Sequence, residues 1–367
     1  MRYEIDAERY YEEVVSLLNT FKTPDTQGLL LSTQMHGCVL TDKAFMPVTP
    51  YISWQDGLGR EKLPQIAAEL GTEAARPSGV PLKGNLALCA LKARRLMGEQ
   101  WPQGSYLCTL GGYIIGRLTG EHICHMTNAA PTGLADVRNG CWNSELIHAA
   151  GLQTLVYPRI SYDLQPVGMW GNIAVYPDLG DQQVCAYGAR LQPERDLHIS
   201  VGTAGLIGCL HPQWGNGKYE NRPWLTPQCY LRTISGLPGG RHIASLERLL
   251  KQCAMELGSG AVNDEQIWHW MCSLKGTPAS PETLWDWLGM TPEQAVLSVY
   301  ARMAAAFRTA SDQLEASISR LAFSGGCVTK NAALQKAFQK AYACDADAAG
   351  YDVTGGLCRL AAMLSHE

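Results

Sequence analysis

Charge is the first thing this sequence is short of. Only 17% of its 367 residues are Asp, Glu, Lys or Arg, the formal net charge is -4, and no run of lysines and arginines carries interleaved aromatics. A surface without a cationic stripe cannot hold a polyanion, so nucleic acid and anionic lipid are not expected partners. No apolar run approaches the length of a membrane span, and the N-terminus lacks a basic-then-apolar leader. Membrane insertion and secretion are therefore both disfavoured. The thirteen cysteines, from Cys38 to Cys358, contain no C-x-x-C pair. Neither a zinc site nor a disulfide framework is signalled, no residue is assigned to a metal, and the thiols read as reduced, mostly buried groups of a cytoplasmic protein. Tandem repeats, low-complexity tracts and Pro-rich linkers are also missing. What remains is the composition of a soluble globular chain long enough for two domains.

The most informative stretch runs from Tyr176 to Leu210. An apolar strand pattern ends in Gly180-Asp181, and a short helix of small residues, Gln182 to Arg190, follows. A carboxylate at the carboxyl end of a strand in an open α/β sheet stands where such folds expose catalytic groups. The alternative is that Gly-Asp marks a turn or caps the helix. Leu197 to Val201 and Leu206 to Leu210 then read as two strands joined by Gly202-Thr203-Ala204-Gly205, a turn of little bulk whose N–H groups can face an anion. The same turn is also an ordinary hairpin type.

Around this stretch the chain reads as alternating strands and helices. Asp6 caps a first helix with Tyr10, Val14, Leu17, Leu18 and Phe21 on one face. Gly28 to Ser32 is a continuously apolar run, expected of a strand buried on both faces, and it ends in the polar Thr33-Gln34-Met35-His36-Gly37. Tyr51 to Trp54 is a further strand ending in Gln55-Asp56-Gly57. Helices are expected at Arg60 to Leu70, Leu86 to Met97, Tyr106 to Leu118, from a Ser144 cap to Ala150, at His242 to Cys253, from Pro292 to Ser317, at Ala332 to Ala343 and at Val353 to Leu364. Trp214 to Gln228 reads as an irregular loop, and Leu321 to Phe323 as a strand breaking at Ser324-Gly325-Gly326. Polar Arg190 to Asp196 is the best boundary, dividing the chain into domains 1–190 and 191–367.

Taken in order, TQMHG at Thr33 to Gly37, WQDG at Trp54 to Gly57, LTGE at Leu118 to Glu121, TNAAPTG at Thr127 to Gly133, GDQQ at Gly180 to Gln183, SVGTAG at Ser200 to Gly205 and SGG at Ser324 to Gly326 resemble the FGGY carbohydrate kinases, the sedoheptulokinase-like branch most of all. The resemblance covers nearly the whole chain. It implies two RNase-H-like α/β domains of the actin and hexokinase type around a cleft, a sugar domain at 1–190 and a nucleotide domain at 191–367. It implies ATP and Mg²⁺ as cofactors and phosphorylation of a terminal hydroxyl of a ketose, sedoheptulose- or xylulose-like. Asp181 would be the catalytic base, facing the phosphate turn across the cleft. Met35, His36, Trp54, Asp56 and Asn128 would line the sugar pocket. Gly202 and Thr203 would meet the phosphates, and Gly325, Gly326 and Asn331 the adenosine side.

Each of these residues also has a plainer reading. His36 can be a satisfied core histidine, Trp54 a core aromatic, Asp56 part of a Gln-Asp-Gly turn, Asn128 a helix cap, and Gly325-Gly326 a tight strand-to-helix packing joint. The sequence also departs from the family pattern. The opening strand-turn-strand with its D-x-G-T phosphate hairpin is not found before the first helix, so the first sheet is expected to have an unpaired edge. A partner supplying those strands, or a homodimer, is an expected association. The alternative function is an impaired kinase, or one half of a split kinase, that binds sugar or nucleotide without turnover on its own.

Overall fold

The computed structural model describes residues 2–256, 263–278, 289–347 and 350–365, and it divides into two compact units. The first gathers Met1–Val184, Glu220–Leu231 and Leu357–Glu367; the second gathers Cys185–Tyr219 and Arg232–Gly356. The polar stretch Arg190 to Asp196 thus lies inside the second unit, and two later segments return to the first.

In the first unit, Glu4–Ile5 pairs antiparallel with Tyr51–Ile52 before the helix Ala7–Phe21 begins. Asp6 caps that helix, its carboxylate accepting from Arg9 N at 3.1 Å, as its type and position require. The apolar face is less covered than its periodicity suggests: Leu17 is 59% and Phe21 77% exposed. A three-stranded sheet runs in the order Gly168–Trp170, Ile173–Gly180, Gly28–Thr33, antiparallel then parallel. Gly28–Thr33 is an edge strand and its leucines are only half-buried. The strand expected to be buried on both faces is therefore corrected to a half-buried strand with a neighbour on one side only among the described residues. The core lies elsewhere, where Leu40, Ile52, Leu86, Leu88, Leu91, Leu107 and Leu152 pack around the almost wholly buried helix Ala87–Leu96.

In the second unit, neighbouring strands run in the order Tyr230–Leu237, Gly205–His211, Asp196–Val201, Arg320–Ser324, Asp345–Ala346, with the middle strand antiparallel to Gly205–His211 and parallel to Arg320–Ser324. The helix Pro292–Ser311, opened by a Thr291/Gln294 capping box, packs with Ala332–Tyr342 on this sheet. Leu197, Ile199, Val201, Phe307, Phe323 and Phe338 form the shared core.

Several elements differ from expectation for identifiable reasons. Tyr106–Cys108 is a strand, and the helix starts only at Leu110, where Thr109 accepts from Gly112 N. Asn143, not Ser144, caps the helix Ser144–Ala149. The long helix ends at Ser311 and continues as a 3₁₀ turn to Leu314. Glu220–Pro223 is a buried strand within the stretch read as a loop.

Candidate functional site

Parallel pairing brings two polar strand ends side by side. Asp178, Leu179 and Gly180 lie opposite Leu31, Ser32 and Thr33, after a bulge between Val175 and Asp178. Both strands therefore exit at the same carboxyl edge, one into Met35-His36 and the other into Asp181, the position where open α/β sheets bind ligands. The strand end at Gly180 is closely surrounded: a Cβ there would stand 2.6 Å from Gln183 Oε1, 2.9 Å from Met35 Sδ and 3.2 Å from the Thr127 carbonyl. His36 is held at a φ of 74°, a left-handed conformation uncommon for a residue with a side chain and often found at binding sites. Its Nδ1 lies 3.0 Å from the Pro131 carbonyl. A carbonyl only accepts, so Nδ1 carries the proton and Nε2 is left as an acceptor. Burial, with Arg222 nearby, pushes His36 down to about 3, so the ring is neutral.

Asp181 is the first residue of the helix Asp181–Gly188 and is half-buried. Its Oδ1 accepts from Gln182 N at 2.9 Å. Burial raises its pKa, while the Gln182 N–H and the Arg222 charge oppose that rise. Arg222 comes from the strand Glu220–Pro223. Its Nε and Nη2 reach Glu220 Oε2 at 2.8 and 2.7 Å, its Nη1 donates to Gln182 Oε1, and Lys83 pairs with the other oxygen of Glu220. His36 and Asp181 thus share one guanidinium as their neighbouring cation.

Beneath these strand ends is a buried polar layer built on Asp178, which is 0% exposed. Its carboxylate accepts from Thr109 Oγ1 and Asn128 Nδ2, both at 2.9 Å, and from His125 N at 3.3 Å. Burial lifts it to about 6 even so. Asn128, in the short helix Met126–Ala129, also reaches Thr33 Oγ1 at 3.4 Å, and its own oxygen has no partner among the described residues.

The other first-unit candidates stand apart from this layer. Asp56 is buried, with its oxygens bound by Tyr3 N at 2.8 Å, Leu58 N at 3.0 Å and the Arg94 guanidinium at 3.3 Å. It ties the N-terminal strand to the helix Ala87–Leu96. Trp54 is half-buried in the turn after Tyr51–Ile52.

In the second unit the hairpin register Val201↔Gly205 leaves a three-residue loop, 202–204. Two of its three carbonyls are engaged, Gly202 O by Gly240 N at 2.7 Å and Thr203 O by Arg241 N at 3.3 Å, while its N–H groups have no partner among the described residues. Space is open where a Cβ would stand on Gly202 and on Gly326. Gly325 lies against this loop at a φ of 84°, and a Cβ there would come within 2.6 Å of Val201 O. Open backbone and free N–H groups suit a phosphate-bearing ligand. Asn331 instead points into the core, where its oxygen caps Leu334 N at 3.0 Å and its amide donates to Tyr300 Oη at 2.9 Å.

Arg222, Glu220, Lys83 and Asp178 escaped the sequence reading. The signals were a Glu and an Arg two residues apart, which in a strand share one face, and a lone carboxylate inside an apolar strand.

Residues 8–184, nearly half of the chain, match the N-terminal domain of the FGGY family of carbohydrate kinases. The xylulose kinase of Staphylococcus xylosus is 27% identical over 239 residues, covering 59% of this chain and 48% of that kinase. The glycerol kinase of Thermococcus onnurineus is 24% identical over 215 residues, covering 54% of this chain and 43% of that kinase. The aligned part of the chain thus spans about half the length of these curated relatives. Among solved structures, the xylulose kinase of Rhodospirillum rubrum superposes with a TM-score of 0.77 at 18% identity, over 97% of this chain and 81% of that one. The Plasmodium falciparum glycerol kinase with ADP superposes at 0.69 and 15% identity, over 92% and 76%. The fold is therefore the two-domain, mixed α/β fold of such kinases, of the actin and hexokinase type.

Proposed function

We propose, from a first half that matches the FGGY carbohydrate kinases, that this chain transfers the γ-phosphoryl group of ATP to a terminal hydroxyl of a ketose or related polyol. Several matched relatives bear the name xylulose kinase, which favours a xylulose- or sedoheptulose-like acceptor. We take the enzyme to work in the cytoplasm; among the described residues no helix is long and apolar enough to cross a membrane. The observation that carries the reading is the side-by-side exit of Met35-His36 and Asp181 from two parallel strands.

In this reading the first unit binds the acceptor. The neutral His36 ring offers Nε2 to a sugar hydroxyl, Met35 packs beside it, and Asn128 holds the strand end from beneath. Asp181 accepts the hydroxyl proton late, as the O–P bond forms, a modest demand that suits a carboxylate. In the second unit the N–H groups of Gly202 and Thr203 receive phosphate oxygens, and the open space at Gly326, beside Gly325, accommodates the nucleotide. Mg²⁺ arriving on the nucleotide would neutralise charge on the transferring phosphoryl group.

A second reading, a chain that binds sugar or nucleotide with little turnover of its own, or one half of a split enzyme, is favoured by the bare edge of Gly28–Thr33. A partner chain or a second copy would then cover that edge. The purified chain, given ATP, Mg²⁺ and a panel of five- to seven-carbon ketoses, is expected to form ADP only when one of the sugars is present. Asp181→Asn should lower that turnover by at least about 100-fold while sugar affinity, measured by calorimetry, is kept. Calorimetric binding without turnover for the whole panel would select the second reading; neither binding nor turnover would overturn both.

A further inference from the structure

We propose that Arg222 is a positioning residue for Asp181: clamped by Glu220, its guanidinium holds Gln182 by the side-chain oxygen and so aims the carboxylate that the Gln182 N–H binds. The inference rests on the kinase reading only for its consequence in catalysis; the geometry stands by itself.

The strand Glu220–Pro223 lies some forty residues beyond Asp181 in sequence yet belongs to the same unit. It carries Glu220 and Arg222 on one face by the two-residue period of a strand. Two of the three guanidinium nitrogens are fixed on one carboxylate oxygen, at 2.8 and 2.7 Å. An arginine fork held this way has little freedom left, so its third nitrogen has a defined target. That target is Gln182 Oε1, on the residue whose backbone N–H in turn binds Asp181 Oδ1 at 2.9 Å. Arg222 and Gln182 are both buried, so the link is poorly screened by water.

The groups facing this site come from four elements. Arg222 and Glu220 lie on the strand Glu220–Pro223, and Lys83, at the far oxygen of Glu220, lies before the helix Ala87–Leu96. His36, after Gly28–Thr33, is neutral, and the Tyr51 phenol, on Tyr51–Ile52, is held uncharged by burial. Glu220 binds both cations, and Arg222 is the one whose charge acts on Asp181, where it opposes the rise that burial imposes.

The test is a carboxyl ¹³C NMR titration of the full chain labelled at aspartate, with Asp181→Asn identifying the resonance. In Arg222→Gln the Asp181 midpoint is expected to rise by about one pH unit, and in Arg222→Lys to return most of the way. If Arg222→Gln does not fold, the triple variant Lys83→Met/Glu220→Gln/Arg222→Gln removes the carboxylate together with both of its cations, leaves none of the three unpaired and is expected to show the same rise. An unmoved midpoint in whichever neutral variant folds overturns the proposal, as does a Lys variant shifted as far as the Gln variant. Because the titration needs no turnover, it stands even if the kinase reading fails. If that reading holds, the acid limb of kcat/KM moves with the midpoint.

Discussion

Asp178 and Asp181 stand three residues apart in one strand-to-helix run, and their surroundings set them to different tasks. Asp178 is sealed among Thr109, His125 and Asn128 and braces the strand end, whereas Asp181 is half-buried beside a clamped arginine. Asp56 belongs with the bracing groups. Burial pushes its pKa up, but the Tyr3 N–H and Arg94 outweigh that and leave it below the ordinary value. Asp56→Asn therefore leaves Arg94 short of its buried partner, and urea unfolding should show a loss of about 2 to 4 kcal/mol. Affinity for sugar in the folded variant should stay close to wild type; a large loss of affinity at unchanged stability would return Asp56 to the binding site. Glu220 gives the pH dependence. Burial works to raise it, yet Arg222 and Lys83 bring it down to about 2 from 4.5. A carboxylate depressed in the folded state contributes stability above its unfolded pKa and loses it as pH falls through the folded one. Wild type should thus exceed Glu220→Gln by roughly 3 kcal/mol near pH 7, a gap that narrows from about pH 5 towards pH 2. A gap that does not change with pH would mean that packing, not charge, carries the effect.

Among the elements, the two parallel-sheet strands differ most in their surroundings. Asp196–Val201 has a neighbour on each side, while Gly28–Thr33 has one. Amide hydrogen exchange should therefore be slow along Asp196–Val201 and markedly faster at those amides of Gly28–Thr33 that face the bare edge. Equal protection in the purified chain would mean that something covers that edge in solution. The same elements explain what was legible in advance. The runs ending at Thr33, Gly180 and Val201 were readable because apolar strands stop abruptly at polar or glycine residues, and that contrast also marked Met35, His36, Asp181 and Gly202. Tyr106 to Leu118 merged a strand with a helix because it is apolar throughout, so neither period shows; the Thr109 cap was the only divider. Glu220–Pro223 was unreadable as a strand for the opposite reason. Its Glu and Arg are buried by pairing with each other, and the Glu with Lys83 as well, and hydropathy cannot register burial that rests on ion pairs. With that strand went Arg222, the cation that acts on Asp181.

At the scale of the molecule, the first unit is assembled from three separate pieces of chain, and the piece carrying Glu220 and Arg222 is inserted into the sequence of the second. A cut at 190/191 would remove the cation from the carboxylate it faces, so the two candidate ligand sites are best separated with the chain intact. Each proposed site has its own residues: Thr33 to His36 and Gly180 to Gln183 in the site proposed for the acceptor, and loop 202–204 with Gly325 and Gly326 in the one proposed for phosphates. A ligand that binds a site slows exchange of the amides it covers. A saturating ketose should therefore protect amides around Met35, His36 and Gln182, while ADP with Mg²⁺ should protect Gly202, Thr203 and Gly326. Both footprints together with turnover are what a kinase requires. A single footprint without turnover describes a binding chain or half of a split enzyme, and the unit in which it falls identifies which half. If the ketose footprint instead centred on Trp54 and Asp56 and left Met35 and His36 unchanged, the paired strand ends would lose their claim to the acceptor, and with it the reason for assigning Asp181 the proton.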